Sequence, residues 1–234
     1  MTHSTEPRVP LGVAAGEVDS LIRTVDWDAT ALGPIESWPQ HLRIPVRTML
    51  SSRFAMWMGW GPELTFFCND AYRPTLGTKY PWALGRPSRD VWKEIWSDIG
   101  PRIQEVLTIG RATYDQDLPL ILLRSGYPEE TFHTFSYSPL PDDTGGIGGH
   151  LCVVIEDTER FISERRLRIL REIGARIPNR QSEADLFAAV AECLATDPRD
   201  LPFALIYLLE SGGEQAALAC STGFARTIAR RRRC

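Results

Sequence analysis

The sequence predicts an α+β fold: a five-stranded antiparallel sheet with helices inserted after its second strand. Three observations carry that prediction. Two aromatic-rich runs, "FAMWMGWG" and "LTFFCN", are separated only by Pro62 and Glu63 and read as a hairpin. After Asn69 the apolar period lengthens to three or four residues, which is helical. Beyond Gly110 it shortens to two again in "ATYDQDLPLILL", "EETFHTFSYSPL" and "IGGHLCVVIED", giving three more strands. Strands in runs, with helices segregated between them, make an α+β domain rather than a parallel α/β one.

Taken in order, residues 1–16 carry Thr, Ser, Pro and Gly without periodicity and read as a flexible tail. Residues 17–49 form a helical flank of two short helices, with Leu42, Val46, Met49 and Leu50 on one face of the second and Pro34 and Pro39 between them. Trp27, Leu32 and Trp38 are large apolar groups in a linker-like stretch and are expected to fold back onto the domain that spans 50–160. "DAYRPTLG" allows a short helix, restricted by Pro74 and ended by Gly77. Asn69 and Asp70 are placed to cap it, and an alanine at either is expected to cost about 1 kcal/mol. "SRDVWKEIWSDIGPRIQEVLTIG" is the clearest helical region: Ser88 is a cap candidate, and Val91 with Ile95, and Trp92 with Trp96, pair at four-residue spacing. Gly100 and Pro101 are expected to interrupt it, and a further helix to run from about Pro101 to Leu107.

Among the late strands, Thr131, His133, Phe135 and Tyr137 share one face of the second. "TGGIGGH" has the wrong spacing for a phosphate-binding loop and lies between strands, so it reads as a hairpin turn. The third strand then runs without Gly or Pro into "EDTERFISERRLRILREIGARI". Asp157 or Thr158 is expected to cap this helix. Leu167, Leu170, Ile173 and Ile177 form an apolar stripe, with Arg165, Arg166, Arg168 and Glu172 toward solvent. The stripe needs a partner, either the same helix of a second copy or the chain's own domains, and Gly174 and Pro178 limit its run.

The chain has 234 residues and a net charge of −4, so it offers no field for nucleic acid or an anionic membrane. The arginines near residue 230 are a short basic tail within 225–234, read as solvated and as an artefact of a shifted reading frame. No run of about 20 apolar residues and no secretion signal is seen, which points to a cytoplasmic protein. The five cysteines are widely spaced without a C-x-x-C pair, so neither a disulfide framework nor a zinc site is indicated; Cys68 and Cys152 read as small hydrophobes in strands. His3, His41, His133 and His150 are scattered, and no hydrolase motif or other catalytic constellation is present.

What remains is an aromatic interior. Trp57, Phe67, Tyr72, Trp92, Trp96, Phe135 and Tyr137, with Asn69 and His133 as polar groups, are the ligand-pocket candidates, against the rival reading that these rings only fill a core.

The order of elements, "LTFFCNDAY" after the first strand and "EDTER" at the exit together resemble a PAS domain over about residues 50–160. "DWDATALGPIESWPQHLR" resembles the segment preceding such domains in bacterial sensor histidine kinases. The resemblance implies a sensory or regulatory module at the input end of a two-component phosphorelay. Its state would pass through a signalling helix, residues 161–180, with Asp157, Thr158, Arg160, Leu167 and Leu170 as transfer residues. It implies a homodimer, a possible small-molecule ligand and kinase domains elsewhere in a longer protein. It does not imply a flavin, since Cys68 before Asn69 at a strand end does not match the photoreactive Asn-Cys-Arg-Phe-Leu-Gln neighbourhood, and haem is not supported. Its rival is a PAS-type interaction and dimerisation module without a ligand. Residues 181–224, "SEADLFAAVAECLATDPRDLPFALIYLLESGGEQAALACSTGF", resemble the opening of a GAF domain and are too short to bury a complete one, so the chain is expected to be a piece of a longer sensor.

Overall fold

A computed structural model of the chain describes residues 16–177, 182–210, 213 and 215–223. Residues 1–15 of the expected 1–16 tail, the expected tail at 225–234 and Pro178 lie outside the described residues, and Gly16 is the residue at the start of the first helix. The chain divides into two units after Thr158.

The first unit contains α1 (Glu17–Ile22), α2 (Gln40–Ser51), β1 (Ala55–Trp60), β2 (Thr65–Cys68), α3 (Arg73–Leu76), α4 (Ser88–Val91), α5 (Trp96–Ile109), β3 (Thr113–Leu122), β4 (Glu129–Pro141) and β5 (Ile147–Glu156). Its five strands form one antiparallel sheet in the order β2-β1-β5-β4-β3, with α3 to α5 inserted after the second strand. This is the α+β, PAS-type architecture that the sequence predicts.

Pleating sorts the side chains onto two faces. Cys68, Trp57, Cys152 and Tyr137 are successive cross-strand partners and so lie in one row on one face. Phe66 shares that face, and Phe67 next to it takes the other. There Phe67 stacks on Trp27 at 5.1 Å and meets Trp38 edge-on at 5.4 Å. The flank is thus part of the core: Val18, Ile22, Leu42, Val46 and Met49 are fully buried in the same cluster as the strand residues. Trp27 and Trp38 satisfy their indole N–H groups on Ile22 O and Gly33 O, which lets both bury.

Three local expectations are corrected. The helical region from Ser88 breaks at 92–95, and α5 runs on through Gly100 and Pro101. Pro101 is exposed, so the Ser97 carbonyl it leaves without an amide partner is open to water. Gly100 admits the Trp96 ring, whose Nε1 would lie 2.9 Å from an added Cβ. Ser88 does not cap α4; its hydroxyl donates to Leu64 O and ties α4 to the β1–β2 hairpin. Asp70 accepts from Val18 N at 3.2 Å, so it serves the first turn of α1, and only Asn69 accepts from Tyr72 N.

The second unit contains most of α6 (Thr158–Arg176), α7 (Glu183–Leu194) and an antiparallel pair, β6 (Ala204–Leu209) and β7 (Ala216–Thr222). Ser182 caps α7 by accepting from Asp185 N. Arg165, expected toward solvent, is 8% exposed: its guanidinium donates to Asp200 at 2.6 Å and lies 3.6 Å from Asp197. A buried arginine requires such carboxylate partners. Leu167 and Leu170 of the expected stripe are exposed, whereas Ile169 is buried.

Candidate ligand cavity and helix junction

The inner face of the sheet and the α3–α5 segment enclose a cavity of about 20 Å³. That is room for roughly one water molecule. Trp57, Tyr72, Trp92, Phe135 and Tyr137 supply aromatic walls, with ring centroids 5.1 to 6.4 Å apart among these neighbours. Thr75, Ile95, Ile99, Leu120, Leu122 and Val154 complete the lining with His133.

The polar groups in this wall are few. His133 is 2% exposed; its Nε2 lies 3.0 Å from Thr131 Oγ1, and its Nδ1 has no partner among the described residues. Trp92 is 1% exposed, and its Nε1–H is likewise buried without a partner. Burial holds the His133 imidazole below its ordinary value, against an opposing pull from Glu156. His150, on β5, is fully buried edge-on to Trp57 and Tyr137, with neither ring nitrogen partnered among the described residues.

Outside Trp92 sits an ion pair. Lys79 Nζ lies 4.0 Å from the Trp92 ring centroid and bonds Glu94, with little of either side chain exposed. Glu94 Oε1 also accepts from Leu123 N at 3.4 Å. The next residue, Arg124, accepts from Thr78 N at its carbonyl and holds Glu156 by two bonds of 2.7 and 2.8 Å.

Glu156 is the register partner of His133 across β4–β5. Its carboxylate accepts from Thr158 Oγ1 at 2.9 Å, and Thr158 Oγ1 accepts in turn from Phe132 N at 3.1 Å. Burial raises the Glu156 carboxyl, but Arg124 and Thr158 outweigh it and hold the group below its usual range. Asp157 accepts from Thr134 Oγ1, which also accepts from Asp117 N at the irregular step of β3, where Asp117 has a φ of +55°. The first residue of α6 is therefore bonded to the strand that carries His133.

Of the pocket candidates, Trp57, Tyr72, Trp92, His133, Phe135 and Tyr137 come together around the cavity, and three do not. Phe67 faces the flank, Trp96 covers Gly100, and Asn69 is consumed by backbone. Asn69 Nδ2 shares its two hydrogens among Met49 O, Ser52 O and Phe54 O, and Oδ1 accepts from Met56 N and Tyr72 N. Strand alternation alone would have found Leu120, Leu122, Val154 and His150, since each shares a face with a residue already singled out. Among the transfer candidates, Asp157 and Thr158 sit at the junction; Arg160 lies over the Phe161 ring at 4.5 Å, and Leu167 and Leu170 remain exposed on α6. Among the described residues no group of three His, Cys, Asp or Glu could hold a metal, and no helix is long and apolar enough to cross a membrane.

No family model and no curated protein matches the chain. Solved structures similar to it include the PAS domain of BvgS from Bordetella pertussis, at 19% identity and a TM-score of 0.34, over 53% of this chain and 92% of that one. A sensory box sensor histidine kinase from Vibrio cholerae is similar at 13% identity and a TM-score of 0.35, over 49% and 89%. An RNA-binding light-oxygen-voltage receptor is similar at 16% identity and a TM-score of 0.39; 65% of this chain is covered, and it spans 43% of that receptor's length.

Proposed function

We infer that residues 17–158 are a PAS-type sensory or regulatory module of a signal-transduction protein, with α6 as its output. The observation that carries this reading is the bonding of Thr158 to both Phe132 N and Glu156, which ties the start of α6 to the cavity strand. A change of occupancy beside His133 alters the β4–β5 pairing that Thr158 reads, and a two-state element of this kind is what a signal needs. The input role in a histidine kinase rests on the sequence resemblance. We read residues 182–223, with their helix–strand–strand order, as the opening of a GAF-like piece. The exposed Leu167 and Leu170 favour a second copy of α6 as partner, in a short coiled coil.

The small size of the cavity favours one rival: a packed core that serves dimerisation alone. Native mass spectrometry of the purified chain with sedimentation separates them. A bound small molecule, or a dimer mass that shifts when one is added, supports sensing. An empty dimer indifferent to small molecules supports the interaction module. Leu167→Glu with Leu170→Glu is expected to convert the dimer to monomer, and an unchanged mass removes α6 as its interface.

A further inference from the structure

The two faces of α6 are differently occupied. Arg165 and Ile169 are buried within the second unit, and Arg176 bonds Glu192 there, so that face is covered by the chain itself. The other face carries Leu167, Leu170 and Ile177, which are 49%, 63% and 46% exposed. Gly174 lies between them in open space, where an added Cβ would meet nothing within 4 Å. Ser163, Leu167, Leu170, Gly174 and Ile177 follow one another at alternating four- and three-residue steps, which are the inward positions of a two-helix coil. Beside this seam the exposed charges are Glu159 and Arg166 on one flank and Glu164 and Arg171 on the other.

Those charges decide the direction of a second helix, which the apolar spacing alone leaves open. In a parallel pair the first flank of one helix faces the second flank of the other, which sets Glu159 against Glu164 and Arg166 against Arg171. Like charges then oppose each other along the whole seam. In an antiparallel pair each flank faces its own equivalent. Centred with Leu167 on the Leu170 of the other copy, that arrangement sets Glu164 against the other copy's Arg171 on both sides of the two-fold axis. Glu164 sits 3.6 Å from Arg160 of its own helix with its side chain 61% exposed, so it can reach a second arginine.

We propose, resting on the reading of a second copy of α6 as the partner, that the two helices pair antiparallel through this seam, oriented by the Glu164–Arg171 contacts. Sedimentation equilibrium of the full chain at low ionic strength tests this in the parent, Glu164→Arg, Arg171→Glu and the double swap. Both positions are exposed, so the fold tolerates the changes. Each single variant is expected to weaken the dimer at least about tenfold, and the double swap to restore it. In a parallel pair each single variant instead sets opposite charges across the seam, so tighter dimers in both overturn the antiparallel pairing and leave α6 as the interface. Unchanged association in both, or a double swap as weak as the singles, overturns the pairing as well. If Leu167→Glu with Leu170→Glu is also without effect, or the parent stays monomeric at high micromolar concentration, the second-copy reading falls with it.

Discussion

Asn69→Ala is expected to destabilise the first unit by at least about 3 kcal/mol, several times the loss of a helix cap. The side chain is fully buried and sits among five backbone groups: carbonyls of Met49, Ser52 and Phe54 at 3.1, 3.2 and 2.7 Å, and amides of Met56 and Tyr72 at 3.0 and 3.2 Å. Those groups come from the end of α2, the start of β1 and the turn after β2, so one amide fixes three segments. Tyr72 N keeps Asn69 O and Met49 O keeps Ser52 N when the amide is deleted, whereas Met56 N, Ser52 O and Phe54 O lose this partner, each at about 1 to 3 kcal/mol before water or relaxation recovers part. Asn69→Asp is no rescue, because a carboxylate has no hydrogen to donate to the surrounding carbonyls. Urea unfolding gives the result; a loss near 1 kcal/mol for Asn69→Ala reduces the residue to the cap that its sequence position suggests.

Acid is expected to unfold the first unit through His150. Burial pushes its imidazole from the ordinary 6.5 down to about 3. As pH falls below about 6.5 the unfolded chain takes up a proton that the native state refuses, so the unfolded state binds more protons and stability falls with pH. The loss approaches about 1.4 kcal/mol per pH unit through the window from 6.5 to 3. His133, also depressed, acts in the same direction. His150→Leu keeps a similar volume and removes two unpaired nitrogens, so its stability at pH 7 is expected to match or exceed the parent's. Between pH 6.5 and 5 its stability should fall less steeply than the parent's. Parallel profiles for the two proteins would refute the assignment.

The strands were the legible part of the fold. β3, β4 and β5 lie within a residue or two of the runs that predict them, because period-two alternation bounded by turns leaves little freedom of register. The break at 92–95 was not legible: Trp92 and Trp96 keep helical spacing although Trp92 serves the cavity and Trp96 covers Gly100. Polar residues whose partners are distant were also misread. Arg165 looks solvated beside its neighbours, and its carboxylates lie at Asp197 and Asp200. Asn69 looks like a cap because nothing in "FFCND" announces three carbonyls at Met49, Ser52 and Phe54. Lys79 and Glu94 pair across a turn and a helix, a contact that no periodicity encodes. Aromatic residue type narrows the search for a cavity, but strand parity decides membership, which is why Phe66 and Phe67 part company.

The central claim is that the cavity strand is coupled to the first turn of α6 through Thr158. Amide hydrogen exchange across residues 156–164 tests it in four proteins: the parent, His133→Leu, Thr158→Val and the double variant. His133→Leu is expected to speed exchange in the first turn of α6 by about tenfold. Thr158→Val should speed it too, and the double variant should exceed neither by much, since coupled sites are not additive. Faster exchange confined to β3 and β4 in His133→Leu, with residues 156–164 unchanged, would contradict the account.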